Sequence, residues 1–127
     1  FLCTTTLVMA QRINHVQEAI ANYDYEAALT LIAKEKPTIP LLLQKGKAQR
    51  GLGMNTEALS TYQEIITNDT ANTRAYIEAA ECCRSLAKYQ QALKYYEQAL
   101  DLNPENKYVR IQYIGLLLSL QKFQDAL

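Results

Sequence analysis

The stretch ALKYY at residues 92–96 repeats the stretch ALSTY at residues 58–62, and Ala126-Leu127 follow at the same interval of 34 residues. Leucines keep one register at positions 52, 86 and 120. A fixed period of about 20 to 50 residues is typical of stacked repeats, in which each repeat is one small supersecondary unit. The sequence therefore predicts an array of similar units.

One unit, from Thr73 to Asn106, has the clearest pattern of small and aromatic residues. The pattern consists of Tyr76, Ala80, Tyr89, Ala92, Tyr96, Ala99 and Pro104. At this spacing the unit resembles the tetratricopeptide repeat family, whose repeats are hairpins of two helices. The corresponding residues of the preceding unit, Ile39 to Asn72, are Gly46, Gly53, Ala58 and Tyr62. That unit departs from the family pattern at Leu42, where an aromatic residue is usual, and at Thr70, where the next unit has proline.

The resemblance implies an all-α fold, namely a right-handed superhelical solenoid of antiparallel helix hairpins. We expect about four hairpins, the last of them truncated. The predicted segments are an apolar stretch at 1–11, a degenerate hairpin at 12–38, full repeats at 39–72 and 73–106, and the start of a further repeat at 107–127, with Ala126 in phase. The predicted helices are 12–21, 25–36, 39–51, 55–67, 73–86, 89–101, 105–120 and 123 onward, with bends at Asn22 and Gly53.

The packing of such hairpins depends on small residues, because neither helix can bury its apolar face alone. The small residues expected to let the two helices approach are Gly46, Ala58, Ala80 and Ala92. Tyr62 and Tyr96 are expected to fill the space toward the next hairpin. The residues that we expect to cap helix starts are Thr38, Asn55 and Asn72.

The composition argues against several classes of function. Lys and Arg together number 13, as do Asp and Glu, so no overall charge favours nucleic acid as a partner. His15 is the single histidine, and Cys82 and Cys83 lie mid-helix beside alanines, where packing is the simplest role. No glycine-rich phosphate loop is present. We therefore expect no catalysis, metal, cofactor or small-molecule substrate, unless a fused domain supplies the chemistry.

Residues 1–10, FLCTTTLVMA, carry no charge, and they have two interpretations. They resemble the rear half of a secretory signal peptide, which would place the protein outside the cytoplasm or in the cell envelope. Alternatively, they belong to a helix of a preceding unit, and the protein is then cytoplasmic. The stretch is too short to span a bilayer by itself.

The family resemblance implies a peptide-binding groove on the concave face, lined by the first helix of each hairpin. The candidate groove residues are Ile13, Leu43, Lys47, Arg50, Arg74, Ile77, Glu78, Glu81, Arg84, Tyr108 and Ile111. They comprise an apolar stripe with one residue per hairpin and a flank of mixed charge. An alternative stays open, in which the stripe is partly interhelical packing and the charges form ion pairs that solvate the face.

The leading functional hypothesis is a scaffold or adaptor that binds a peptide segment of another protein in this groove, as one part of a longer protein. The alternative is a structural spacer, or an element that self-associates through the open face of its last repeat. We do not expect capture of the carboxylate tails of chaperones. The family's clamp for such tails is a set of Lys, Asn and Arg. The positions that should hold its Lys and Asn have Ile13, Leu43 and Ile77, and Gln17 or Lys47.

Overall fold

The computed structural model describes residues 2–126, which form seven helices and no strand. The helices are α1 Leu2–Ala21, α2 Tyr25–Ala33, α3 Ile39–Gly51, α4 Asn55–Asn68, α5 Thr73–Ser85, α6 Tyr89–Leu102 and α7 Lys107–Ala126. The predicted all-α class is confirmed. Phe1, Leu127 and the side chains of Leu2, Cys3, Phe123, Asp125 and Ala126 lie outside the described part. No helix within that part is both long enough and apolar enough to cross a membrane.

The chain forms two compact units, which we describe separately. Unit 1 is Phe1–Thr61 and unit 2 is Tyr62–Leu127. In unit 1, α1, α2 and α3 contact one another around a core. The core residues are Val16, Ile20, Ala28, Ile32, Leu41 and Ala48. In unit 2, α6 packs against both α5 and α7.

The close packing of unit 2 depends on alanine. The alanines without exposed surface in this unit are Ala75, Ala79, Ala80, Ala92 and Ala99. Tyr96 is also fully buried, and Tyr76 nearly so. Since an alanine keeps two helix backbones close, the larger tyrosines are left to fill the space between elements.

Three bends share one backbone structure. The residue at the turn has positive φ in each, at Tyr23 (61°), Gly53 (76°) and Ala87 (59°). The N–H of the next residue donates to the carbonyl five residues earlier, at 2.8 Å in all three bends. This is the Schellman arrangement, which ends a helix with one left-handed residue and satisfies its last carbonyls.

Capping side chains begin several of the helices. Thr38 accepts from the N–H of Leu41 at 3.4 Å, and Asn72 accepts from the N–H of Ala75 at 3.0 Å, as the sequence predicted. Asp24 accepts from the N–H of Ala27 in the same way before α2. Asn55 is instead the first residue of α4.

Three predicted helix boundaries differ from the structure by three residues or more. The helix predicted at 12–21 begins at Leu2, and α7 continues to Ala126 without the break predicted between residues 120 and 123. Neither place contains Gly, Pro or Asn, so nothing in the local sequence ends a helix there. α2 ends at Ala33, three residues before the predicted end. Pro37 disfavours helix at Lys36, and it has no N–H to bond to the carbonyl of Ala33. The repeat boundaries themselves stay predictions.

The bends allow a direct test of backbone strain. Left-handed backbone costs a residue with a side chain about 1 to 2 kcal/mol, whereas glycine adopts it freely. We expect Ala87→Gly to raise the free energy of unfolding by about 1 kcal/mol and Gly53→Ala to lower it by about the same amount. Urea unfolding of both variants measures this. If both substitutions changed the free energy of unfolding in the same direction, the shared geometry would be contradicted.

Candidate functional site

The side chains of α5 and α7 meet through two hydrogen bonds in unit 2. The hydroxyl of Tyr108 donates to Oε1 of Glu81 at 3.0 Å, and Nη1 of Arg84 donates to Oε1 of Gln112 at 2.6 Å. Both pairs run in the same direction along the two helices, so α5 and α7 are parallel. The paired residues are 27 and 28 positions apart in the chain, which is less than the 34-residue period.

Tyr96 joins this pair of helices from α6. Its buried hydroxyl donates to Oε1 of Glu81 at 2.7 Å and accepts from Nη1 of Arg84 at 3.4 Å. Glu81 and Arg84 are also within 3.7 Å of each other. The linked side chains, here called the tyrosine network, are Glu81, Arg84, Tyr96, Tyr108 and Gln112.

The electrostatics of the tyrosine network favour neutral phenols and a charged guanidinium. Burial raises the pKa of Tyr96, and its hydrogen bond to Glu81 adds to the rise. Burial and the bond to Glu81 raise the pKa of Tyr108 in the same direction. The hydrogen bond with Tyr96 is the largest cause of the raised pKa of Arg84. Both phenols therefore remain donors near neutral pH.

The flank of mixed charge is more ordered than a set of solvated ion pairs. The side chain of Glu81 is only 18% exposed, and Glu81 and Arg84 are held by tyrosines and a glutamine from other helices. Arg74 is exposed and Glu78 is half-buried on the same helix. Two of the four charged residues of α5 are thus part of the framework of the face.

The apolar residues of the candidate groove in unit 2 differ in how exposed they are. Ile111 is 66% exposed and Tyr108 is 53% exposed, whereas Ile77 is half-buried. Residues facing each other across α5 and α7 are 27 or 28 positions apart, so Ile77 and Ile111, which are 34 apart, are offset by nearly two helical turns. The tyrosine network lies within this offset, and the apolar stripe is therefore interrupted here by polar groups.

The candidate residues of unit 1 divide in the same way between packing and exposure. Ile13 packs against the core of this unit, and Leu43 is half-buried. Lys47 is exposed, and Arg50 is half-buried. For Ile13 the contacts are those of interhelical packing.

Some contacts in the structure carried no clear signal in the sequence. Tyr96 was predicted only as a packing residue, and the choice of tyrosine over phenylalanine was the one sign of a polar role.

In unit 1, Arg12 donates to both carboxylate oxygens of Glu35, at 2.8 and 3.0 Å, beside a cleft of about 270 Å³ that His15 also lines. The two partners are 23 residues apart, so local spacing does not reveal them.

The cysteines of α5 are buried. Cys82 and Cys83 have no exposed surface, and burial raises the pKa of Cys83, which keeps the thiol protonated. Within the described residues, no three His, Cys, Asp or Glu side chains come together as a metal site.

Comparison with known proteins identifies the repeat. Residues 73–106 match the model of the tetratricopeptide repeat family. The chain contains a tetratricopeptide repeat. Human tetratricopeptide repeat protein 6 is 30% identical to it over 89 residues, which are 70% of this chain and 16% of that protein. The family predicted from the sequence is confirmed, and the chain spans about one sixth of that relative's length.

Two solved structures have the same fold. The first such domain of Spaghetti (RPAP3), bound to an HSP90 peptide, superposes with a TM-score of 0.82 at 20% identity over 88% of this chain and 92% of that one. The Yersinia enterocolitica type III secretion chaperone SycD, in complex with a peptide of the translocator YopD, gives 0.80 at 18% identity, over 92% and 95%. At these identities the likeness establishes the fold.

The tyrosine network of this repeat can be tested by deleting one hydroxyl. We expect Tyr96→Phe to lower the free energy of unfolding by about 1 to 2 kcal/mol, because a buried bond to a carboxylate is lost. Tyr113→Phe is the matched control, since Tyr113 also donates to a glutamate, Glu97 at 2.9 Å, but on the surface. We expect that control to change stability by less than about 0.5 kcal/mol.

The same variant tests the raised pKa of Tyr96. The pKa of a tyrosine in the unfolded chain is about 10, and the fold favours the protonated phenol of Tyr96. The stability that this preference gives to the fold is complete below the pKa of the unfolded chain. It is lost as the pH rises toward the higher pKa of the folded protein. Urea unfolding between about pH 8 and 11 should show the stability of the native protein approaching that of Tyr96→Phe. A constant difference across this range would contradict the assignment.

Proposed function

We propose that this chain is a protein-interaction module that binds a peptide segment of a partner protein on the face formed by α5 and α7. Tetratricopeptide repeats are generally interaction modules without catalytic activity. Two proteins of the same fold, Spaghetti (RPAP3) and SycD, are known in complex with peptides of other proteins. These complexes support the kind of function, and the residues of this chain indicate the surface.

The proposal rests on apolar side chains that are exposed next to the ordered tyrosine network. Ile111 and Tyr108 remain more than half exposed, although Tyr108 is held in place by its bond to Glu81. Binding costs less when the contacting side chains are already ordered, because less side-chain entropy is lost. Apolar and aromatic anchors of this kind supply most of the affinity in peptide complexes.

The tyrosine network also limits what the face recognises. The guanidinium of Arg84 already contacts Gln112, Tyr96 and Glu81, so its charge is largely compensated within the protein. A partner that depended on Arg84 for a terminal carboxylate would have to compete with these bonds. The face therefore favours an apolar or aromatic side chain, inserted beside Ile111 and Tyr108, over a carboxylate tail.

The site is tested by selecting binders from a random peptide library with the wild-type protein and measuring their affinity for Ile111→Arg. We expect at least tenfold weaker binding, or about 1.4 kcal/mol, because a cation replaces an apolar anchor. Since Ile111 is exposed, the melting temperature should not change. Calorimetric titration and thermal unfolding of both proteins give the two quantities.

Leu117→Arg is the matched control for this substitution. Leu117 is also exposed on α7, but it lies about two and a half turns from Tyr108 and so on the opposite side of the helix. Binding should survive in this variant. If Ile111→Arg binds the selected peptides as well as wild type, the α5–α7 face is not the site.

A second candidate function is self-association, and the outer side of α7 favours it. Ile114 and Leu118 are exposed there, three and seven residues after Ile111 and so on the same stripe of the helix, and a continuous apolar patch commonly marks an association surface. Sedimentation over a range of concentrations separates the two functions. A protein that stays monomeric at high concentration is not a self-stacking element, whereas a dimer that Leu118→Glu dissociates would support the spacer hypothesis.

A further inference from the structure

The bend between α1 and α2 contains an unusual residue. Gly53 and Ala87 stand at the equivalent place in the other two bends, but here the residue is Tyr23, at φ 61°. A bulky residue is disfavoured in left-handed backbone, where its Cβ crowds the neighbouring carbonyl. Burial does not offset this cost, because Tyr23 is 79% exposed. Strain that folding does not require is a reason to look for function at this position.

Tyr23 forms a corner with Tyr25. Their ring centroids are 6.3 Å apart and the rings meet at 76°. Tyr25 is fixed from behind by α3, where the ring lies against the backbone of Gly51 so closely that a Cβ there would be 2.4 Å from ring atoms. One wall of the corner is therefore rigid, and the other is open to solvent.

The charges around this corner are negative. Residues 16–33 contain no Lys or Arg, and their carboxylates, those of Glu18, Asp24 and Glu26, are exposed. The carboxylate of Glu18 lies 3.7 Å from Nδ1 of His15, so Asp24 and Glu26 are the two next to the corner in the chain. Asp24 uses one carboxylate oxygen to cap Ala27. α3 contributes one cation next to Gly51, Arg50, which is half-buried. Two aromatic faces beside carboxylates are the surroundings in which a guanidinium binds, through cation–π contact and ion pairing.

We infer that this hairpin tip, formed by Tyr23 and Tyr25 with Asp24 and Glu26, binds an arginine-containing segment of a partner protein. The guanidinium stacks on the exposed face of the Tyr23 ring, beside Tyr25, and the two carboxylates compensate its charge. The site belongs entirely to unit 1 and does not depend on the α5–α7 face. The strain at Tyr23 is then the cost of presenting an aromatic ring at the end of the hairpin.

The probe is a short peptide of alternating glycine and arginine, added to the whole chain and followed by amide chemical shifts. We expect saturable shifts at Tyr23, Tyr25 and Gly51. The same peptide with citrulline in place of arginine tests charge, because citrulline keeps the shape of the side chain and is neutral. We expect it to bind at least fivefold more weakly.

Three variants separate binding from folding. Tyr23→Gly removes both the ring and the strain, so it should fold at least as stably as wild type and lose the shifts. Tyr23→Phe keeps the ring and should bind within about twofold of wild type. Ala87→Gly makes the same backbone change at the equivalent bend of unit 2 and should bind like wild type.

Several results would overturn the inference. They are the absence of saturable shifts in the wild-type chain, equal binding of the arginine and citrulline peptides, and unchanged binding in Tyr23→Gly. Loss of binding in Ala87→Gly would also overturn it, because the effect would then follow from the backbone change and not from the ring.

Discussion

The close approach of α5 and α6 is the constraint on which the rest of unit 2 depends. A two-helix hairpin has one apolar face per helix, and alanines such as Ala80 and Ala92 let those faces meet without a gap. The approach buries Tyr96 completely, and burial aims its hydroxyl at Glu81. An unpaired buried hydroxyl would be costly, so the glutamate and Arg84 are drawn into one network. The candidate binding face is thus a consequence of packing behind it.

The fold was predictable because its information is periodic. The recurring Ala-Leu pair and the repeated position of a small residue can be recognised from the sequence alone. The caps at Thr38 and Asn72 could be recognised in the same way. The far end of α7 was not predictable in the same way. Helix ends depend on one or two residues, and between Leu120 and Phe123 no such residue occurs.

The site was only partly predictable, because its geometry is set between helices. The sequence places Glu81, Arg84 and Tyr108 on first helices, and the structure shows all three in one network. The offset of 27 or 28 residues between α5 and α7 cannot be read from a 34-residue period. For this reason the equivalence of Ile77 and Ile111 in the sequence did not imply that they are neighbours.

The two proposed surfaces differ in how their charges are used. At the α5–α7 face, Glu81 and Arg84 bond to residues of the protein itself, so little charge remains to attract a partner, and apolar contact with Ile111 must provide the selectivity. At the tip of the first hairpin, the carboxylates of Asp24 and Glu26 are exposed to solvent. Attraction between exposed charges is screened by salt, whereas apolar burial is not weakened in this way. The first surface therefore selects by shape, and the second by charge together with an aromatic corner.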